Sequence, residues 1–264
     1  LIKLLITSVL FTGMAVAMTE SAAGRDLSIT VIYDNTSFKE GLETGWGFSC
    51  LVRGAEKTIL FDTGGDGRRL LGNMAKLGID PEDIDVIVLS HSHGDHTGGL
   101  GAVLEKNHEV AVYLLGSFPE GLKREIKGRG ARVVEVRGPL EVCEGVYSTG
   151  ELGTWMKEQA LVVQTERGLV IITGCAHPGI VETVKKAKEL IKDEVLLVTG
   201  GYHLGSKSRE EIEGIISDFR KLGVRFVGPC HCTGDAAKQL LEREYRGNYI
   251  KVGAGRVMDT RNLR

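Results

Sequence analysis

The chain has 264 residues, 42% hydrophobic and 26% charged, which is enough apolar material for a large buried core and too much for a disordered chain. The formal net charge is −2 and the lysines and arginines are scattered, so no nucleic-acid partner is expected on charge. Five cysteines, odd in number and irregularly spaced, argue against a disulfide-built fold while leaving individual pairs open in an exported chain, and 36 glycines against 5 prolines fit many tight strand–loop junctions.

The first 23 residues stand apart. Lys3 precedes an apolar run from Leu4 to Ala17, and small residues sit at Ala15, Ala17 and Ala23. That is the pattern of a secretory signal peptide, cleaved after Ala17 or Ala23, and it is short for a membrane span. Export to the periplasm or outside the cell is expected, with no stable membrane association after cleavage. A mistaken start ahead of Leu1 would instead leave the chain cytoplasmic. Residues 24–264 read as a single domain.

Leu27 to Tyr33 reads as a strand, followed by a hairpin of Gly47 to Arg53 and Thr58 to Phe61. Leu70, Leu71, Met74 and Leu77 have helical spacing within a helix from Arg68 to Leu77, stopped by Gly78. Val86 to Leu89 is a strand that ends abruptly. Further strands are predicted at 110–115, 132–136, 142–148, 159–164, 169–173, 195–199 and 225–228. Helices are predicted at 119–127, 180–191, 209–222 and 236–244. Strands come consecutively at first and later alternate with helices, which predicts an α/β domain of two sheets face to face with outer helices.

The strand at Val86 to Leu89 runs into His91, His93, Asp95 and His96, set among Ser92, Gly94, Gly98 and Gly99. The chain has seven histidines and three fall in six positions here. Imidazole and carboxylate are ligands for zinc, manganese and iron, and small neighbours let the side chains converge. Three later strands end in the same way. Cys175 and His177 follow 169–173, two residues apart, so both can reach one face of an extended chain. His203 follows 195–199 in a glycine-rich loop, where an imidazole can transfer a proton or polarise a substrate oxygen. His231 follows 225–228, flanked by Cys230 and Cys232, which on an extended chain point away from it and read as packing or redox-sensitive residues. Asp62 ends the strand 58–61 ahead of Gly64 and Gly65, as an Asx turn or as an orienting carboxylate. Glu158 reads as a solvated strand-start residue, with metal ligation the weaker alternative.

The run His91-x-His93-x-Asp95-His96 after a strand and before Gly98-Gly99 resembles the metallo-β-lactamase superfamily. The resemblance covers nearly everything from Leu27 onward. It implies a four-layer αβ/βα sandwich with two mixed sheets and the metal loops along one edge. It further implies His91, His93 and His177 on one divalent ion, Asp95, His96 and His231 on a second, and Asp62 orienting the loop without touching metal. Many members carry an aspartate that bridges the ions where this chain has Cys175, so Cys175 is expected as an extra or bridging ligand. The segments around Cys175, His203 and His231, with Tyr33 to Ser37 and Trp46 to Ser49, resemble the branch that includes the archaeal dihydropterin-methyl-ribofuranosylaminobenzene 5′-phosphate synthase. In many of those relatives a histidine stands where this chain has Trp46.

The resemblance implies a hydrolase of a small-molecule ester, lactone, amide or phosphoester. A water activated between two divalent ions would attack, with Asp95 orienting it and His203 as proton donor. Zinc is the first expectation for the ions, with manganese, iron or magnesium as alternatives. The competing expectations are synthase-like group transfer from a dihydropterin to an arylamine, and a non-enzymatic metal-binding or sensing role.

Overall fold

The structure is a computed structural model that describes residues 26–263, so the segment read as a signal peptide lies outside the described residues. Short runs of β-branched and aliphatic residues set the strands. β1 (Ser28–Tyr33), β2 (Ser49–Arg53) and β3 (Ile59–Phe61) form an antiparallel meander. β4 (Val86–Val88), β5 (Ala111–Leu115) and β6 (Arg132–Val136) then add in parallel. The second sheet takes β7 (Leu140–Cys143), β8 (Val146–Ser148), β9 (Leu161–Thr165), β10 (Gly168–Thr173), β11 (Val195–Gly201) and β12 (Phe226–Cys230). β10, β11 and β12 run parallel, and β7 to β10 are antiparallel. A last strand, β13 (Val257–Asp259), pairs with β1 and completes the seven-stranded first sheet, in the order β13-β1-β2-β3-β4-β5-β6. The second sheet has six strands, β12-β11-β10-β9-β8-β7.

Two elements depart from expectation. Residues 142–148 were read as one strand, but the chain turns back at Gly145, whose φ of 72° suits glycine, and gives the hairpin of β7 and β8. β13 has three residues, too few to show a period in sequence, and exists through its register with Ser28 to Thr30.

Among the described residues, seven α-helices flank the sheets: α1 (Gly67–Leu77), α2 (Gly94–Thr97), α3 (Leu100–Leu104), α4 (Glu120–Gly128), α5 (Ile180–Leu190), α6 (Arg209–Lys221) and α7 (Asp235–Tyr245). α1 begins at Asp66, whose side chain accepts from the Arg69 amide, and ends at Gly78 in the left-handed region. α6 opens with a reciprocal cap between Ser208 and Glu211. The second sheet is buried on both faces. Val162, Leu169, Ile171, Val198 and Val227 pack with Val184, Ile216 and Leu241 of α5, α6 and α7. The alternate residues Leu161, Val163, Val170, Ile172, Leu197 and Phe226 point the other way, into one cluster with Ile29, Val31, Leu51 and Leu60 of the first sheet. That is the two-sheet sandwich with helices outside.

Ile172 sits fully buried between the sheets. Ile172→Ala should cost about 2–5 kcal/mol of unfolding free energy, while Ser208→Ala, which removes one cap, should cost about 1 kcal/mol. Denaturant titration of both variants checks the order.

Candidate metal centre

The chemistry-bearing residues gather where parallel strands end. Asp62 follows β3, His91 and His93 follow β4, Cys175 and His177 follow β10, His203 follows β11, and His231 follows β12. Six of the chain's seven histidines meet there, and only His108 lies elsewhere.

Four imidazoles are held by Nδ1 and present Nε2. Asp62, fully buried, accepts from the Ser90 amide and the Ser90 hydroxyl, each at 2.7 Å, and from His96 Nδ1 at 2.7 Å. Because Ser90 donates to Asp62, its oxygen accepts the proton of His91 Nδ1, 2.9 Å away. Glu158 accepts from His177 Nδ1 at 2.8 Å. Asn35 Oδ1 accepts from His231 Nδ1 at 3.0 Å, and its Nδ2 donates to the His231 carbonyl. Four histidines therefore turn Nε2 inward, the nitrogen left to face a ligand. His93 faces the cluster with Nδ1, 3.0 Å from His91 Nε2.

The inward atoms form overlapping sets whose members lie within 4.8 Å of one another: His91, His93 and His177; Asp95, His96 and His231; and His91, His96 and Cys175 across the two. Cys175 Sγ lies 3.3 Å from His96 Nε2. His231 Nε2 is buried, without a hydrogen-bond partner, and stands 3.3 Å from Asp95 Oδ2 in a geometry that makes no hydrogen bond. A buried nitrogen left with its lone pair bare is costly unless something outside the protein takes it. Burial, with repulsion from neighbouring imidazoles, lowers His91 to about 3 and His96 to about 4, so both are neutral, the form that binds a cation. Burial acts to raise the Asp95 carboxyl, yet the adjoining His231 and His96 hold it below the usual carboxylate range. Imidazole, thiol and carboxylate donors converging in this way fit divalent cations.

Two residues behave differently from expectation. Glu158 is 3% exposed, not solvated, and does not face the cluster as a ligand. It accepts from the amides of Cys175, Ala176 and His177 as well as from the His177 ring. Burial acts to raise its carboxyl, but those hydrogen bonds hold it at about 2. Cys232 does not point away from the site. His231 adopts φ 47° and opens a 3-10 turn over His231–Thr233, so the extended alternation fails and Cys232 Sγ joins Cys175 and His231. Hydrogen bonding from Cys175, helped by His203, lowers the pKa of the Cys232 thiol. His203 sits exposed at the rim, its ring 4.5 Å from that of His177, and the neighbouring Cys232 raises its pKa. Cys230 is buried, as packing requires, and all five cysteines are free thiols. Ser90, Asp34 and Asn35 carry orienting roles that the sequence reading missed, Asp34 through the His231 amide at 2.9 Å.

Backbone strain collects here. Among the described residues, five non-glycine residues have positive φ, and Asp62, Ala176, His203 and His231 are four of them. Gly174 allows a close approach: a Cβ there would fall 2.1 Å from Ser90 Oγ and 3.0 Å from Asp62 Oδ2. Gly174→Ala should therefore destabilise the fold by about 1–3 kcal/mol and displace Ser90 from Asp62. Thermal unfolding read beside the histidine proton resonances checks both parts.

Residues 47–189 match the Metallo-beta-lactamase superfamily. The chain is 31% identical over 278 aligned residues to the 7,8-dihydropterin-6-methyl-4-(β-D-ribofuranosyl)-aminobenzene-5′-phosphate synthase of Methanocaldococcus jannaschii, covering 87% of this chain and 95% of that protein. It is 32% identical to Tm1679, a metal-dependent hydrolase of the β-lactamase superfamily, whose crystal structure superposes with a TM-score of 0.75 over 88% of this chain and 98% of that one. The metallo-β-lactamase fold protein YhfI from Bacillus subtilis superposes at 0.67 with 14% identity, covering 88% and 99%, and shows the fold alone. The matched span contains Asp62, the loop from His91 to His96 and the loop of Cys175 and His177, and the likeness to the synthase runs nearly end to end. This chain belongs to the metallo-β-lactamase superfamily.

Proposed function

We propose that this chain is a metal-dependent hydrolase holding two divalent ions, with His91, His93 and His177 on one and Asp95, His96 and His231 on the other. Cys175 lies between the sets and is the proposed bridging or additional ligand. The observation that carries this reading is the pair of adjacent three-donor sets joined by one sulfur. Imidazole and thiolate donors favour zinc over magnesium. When bound, such ions supply an acidified water and a Lewis acid for a substrate oxygen.

The chain's own groups supply the rest. Asp62, Ser90, Glu158 and Asn35 fix the imidazoles, so little reorganisation accompanies loading. The Asp95 side chain is 21% exposed and ionised, so it can orient a water on the open side by accepting its hydrogen bond. His203 at the rim keeps a proton more readily than a free imidazole, which suits donation to a leaving group. A small ester, lactone, amide or phosphoester meets these requirements. Tm1679, at 32% identity, is named as a metal-dependent hydrolase, which supports the reaction class. The end-to-end likeness to the synthase favours a second reading, group transfer between a dihydropterin and an arylamine at the same residues.

Mass-spectrometric metal analysis tests the arrangement. Wild type should carry about two ions per chain, and His91→Ala or Asp95→Ala about one or none, with hydrolysis of a chromogenic ester and phosphodiester panel falling to background. One ion or none in wild type sinks the two-ion reading. Turnover of a dihydropterin and an arylamine, with no hydrolysis anywhere in the panel, favours the second. Cys175→Ala should lose at least one ion if the sulfur is a ligand. Asn35→Ala, which frees the His231 ring, should weaken zinc about 10–100-fold in chelator competition.

A further inference from the structure

We propose that Trp46 and Trp155 are the two ends of the substrate site, and that the substrate carries a flat aromatic ring which stacks on an indole beside its reacting group. This rests on the metal-centre reading above and names the substrate class that such a centre would meet. The chain has two tryptophans, and both are exposed, Trp46 at 64% and Trp155 at 75%. An indole left in water is unusual, because its large apolar face gains most from burial. Both stand at the one functional cluster. Trp46 packs on the His231 ring with centroids 4.9 Å apart, and Trp155 on the His177 ring at 5.7 Å. His231, His96, His91 and His177 form the row between them, each ring 4.2–5.0 Å from the next. The indoles thus cap opposite ends of that row. Each is a separate platform beside a different set of donors.

Neither tryptophan hangs on a loose loop. Gly47, next to Trp46, donates its amide to Asn35 Oδ1, the atom that also holds His231. A Cβ on Gly47 would fall 2.4 Å from the Asp95 carbonyl, so that loop lies directly on the metal-loop backbone. Trp155 stands in the loop closed by paired backbone bonds between Leu152 and Glu158, and Glu158 holds His177. Lys157 Nζ donates back to the Gly153 carbonyl inside the same loop. The two platforms are therefore placed before any ligand arrives, which lowers the cost of using them. The remaining exposed apolar side chains do not share this position: Phe38 is covered on its face by the Arg256 guanidinium at 4.6 Å, and Val257 lies in β13. The histidine cluster offers polar recognition but no apolar wall, and small-molecule sites need both. Trp46 and Trp155 provide that wall, and a cleft of about 480 Å³ lined by His177, Pro178, His203 and Ile215 continues from the Trp155 end. Flat rings gain from indole faces what saturated rings of equal size do not.

The test compares phenylphosphonate with cyclohexylphosphonate on the metal-loaded protein by calorimetry. The two have the same charged group, neither is hydrolysed, and only one ring is flat. Wild type should prefer phenylphosphonate by about fivefold. The preference should vanish in the double variant Trp46→Leu with Trp155→Leu and persist in Trp46→Phe with Trp155→Phe. Because the chain has no other tryptophan, quenching of intrinsic fluorescence in each single phenylalanine variant reports which platform is used. Equal binding of the two ligands by wild type, retention of the preference in the leucine pair, or its loss in the phenylalanine pair overturns the proposal. Metal content of every sample separates the two levels: protein that holds no metal fails the metal-centre reading, and metal-loaded protein without the preference fails only this one.

Discussion

The carboxylate of Asp62 is the constraint on which the site depends. It lies fully buried where β3 ends, with φ 55°, and binds the Ser90 amide, the Ser90 hydroxyl and the His96 ring at once. A charge in that position is expensive unless each lone pair finds a donor. Burial pushes its pKa up to about 7, against the pull of His91 and the Ser90 hydrogen bonds. Three donors from one loop are what make it tolerable, and the same three bonds lock β4's exit against β3's. The proton arrangement of His91 and His96 follows from this single group, because Ser90 has its hydrogen committed to Asp62 and must accept from His91.

Sheet topology then does what no single loop could. β3 and β4 are parallel neighbours in the first sheet, and β10, β11 and β12 are parallel neighbours in the second. Parallel strands end on the same edge, so residues separated by more than a hundred positions arrive together, as open α/β sheets do at their carboxyl ends. Gln159 ties the two sheets at this edge: its side chain donates to the Leu89 carbonyl and its amide to the Ser90 carbonyl. The far end of β4 and β5 also opens a cleft, about 710 Å³, lined by Glu82, Asp85 and His108 among others. It is larger than the cleft beside His177 but contains none of the converging donors, so size alone is a poor guide to chemistry here.

What was legible in the sequence was whatever is local. His91, His93, Asp95 and His96 announce themselves within six positions after an apolar run, and the strand-terminal positions of Cys175, His177, His203 and His231 repeat that pattern. The sandwich followed from strand and helix order. Orientation was not legible, because it is imposed across long separations. Asn35 meets His231 across 196 positions, and Glu158 meets His177 across 19. Nothing near Glu158 distinguishes it from a solvated glutamate; three amides that converge on it from the β10 exit do. Cys232 was misplaced for a different reason. The alternation rule holds while the backbone stays extended, and His231 leaves that region at φ 47°. A glycine-bounded loop after a strand was the available warning.

The substitution of a thiol for the carboxylate that many superfamily members carry alters more than one ligand. A carboxylate offers two hard oxygens and can span two ions with one on each; a thiolate offers one soft atom that must serve both or choose. Cys175 Sγ is set 3.3 Å from His96 and within reach of His91, so it stands between the proposed positions rather than behind one. Cys232 adds a second sulfur on the same side, near His231. On the two-ion reading, charge then reaches the centre from one carboxylate and from sulfur, while His91 and His96 are neutral. Two dications so ligated keep a net positive field, which favours an anionic or strongly polarised substrate oxygen. On that proposed reading, soft donors bias the choice of ion towards zinc and away from magnesium or calcium, which take oxygen-rich shells.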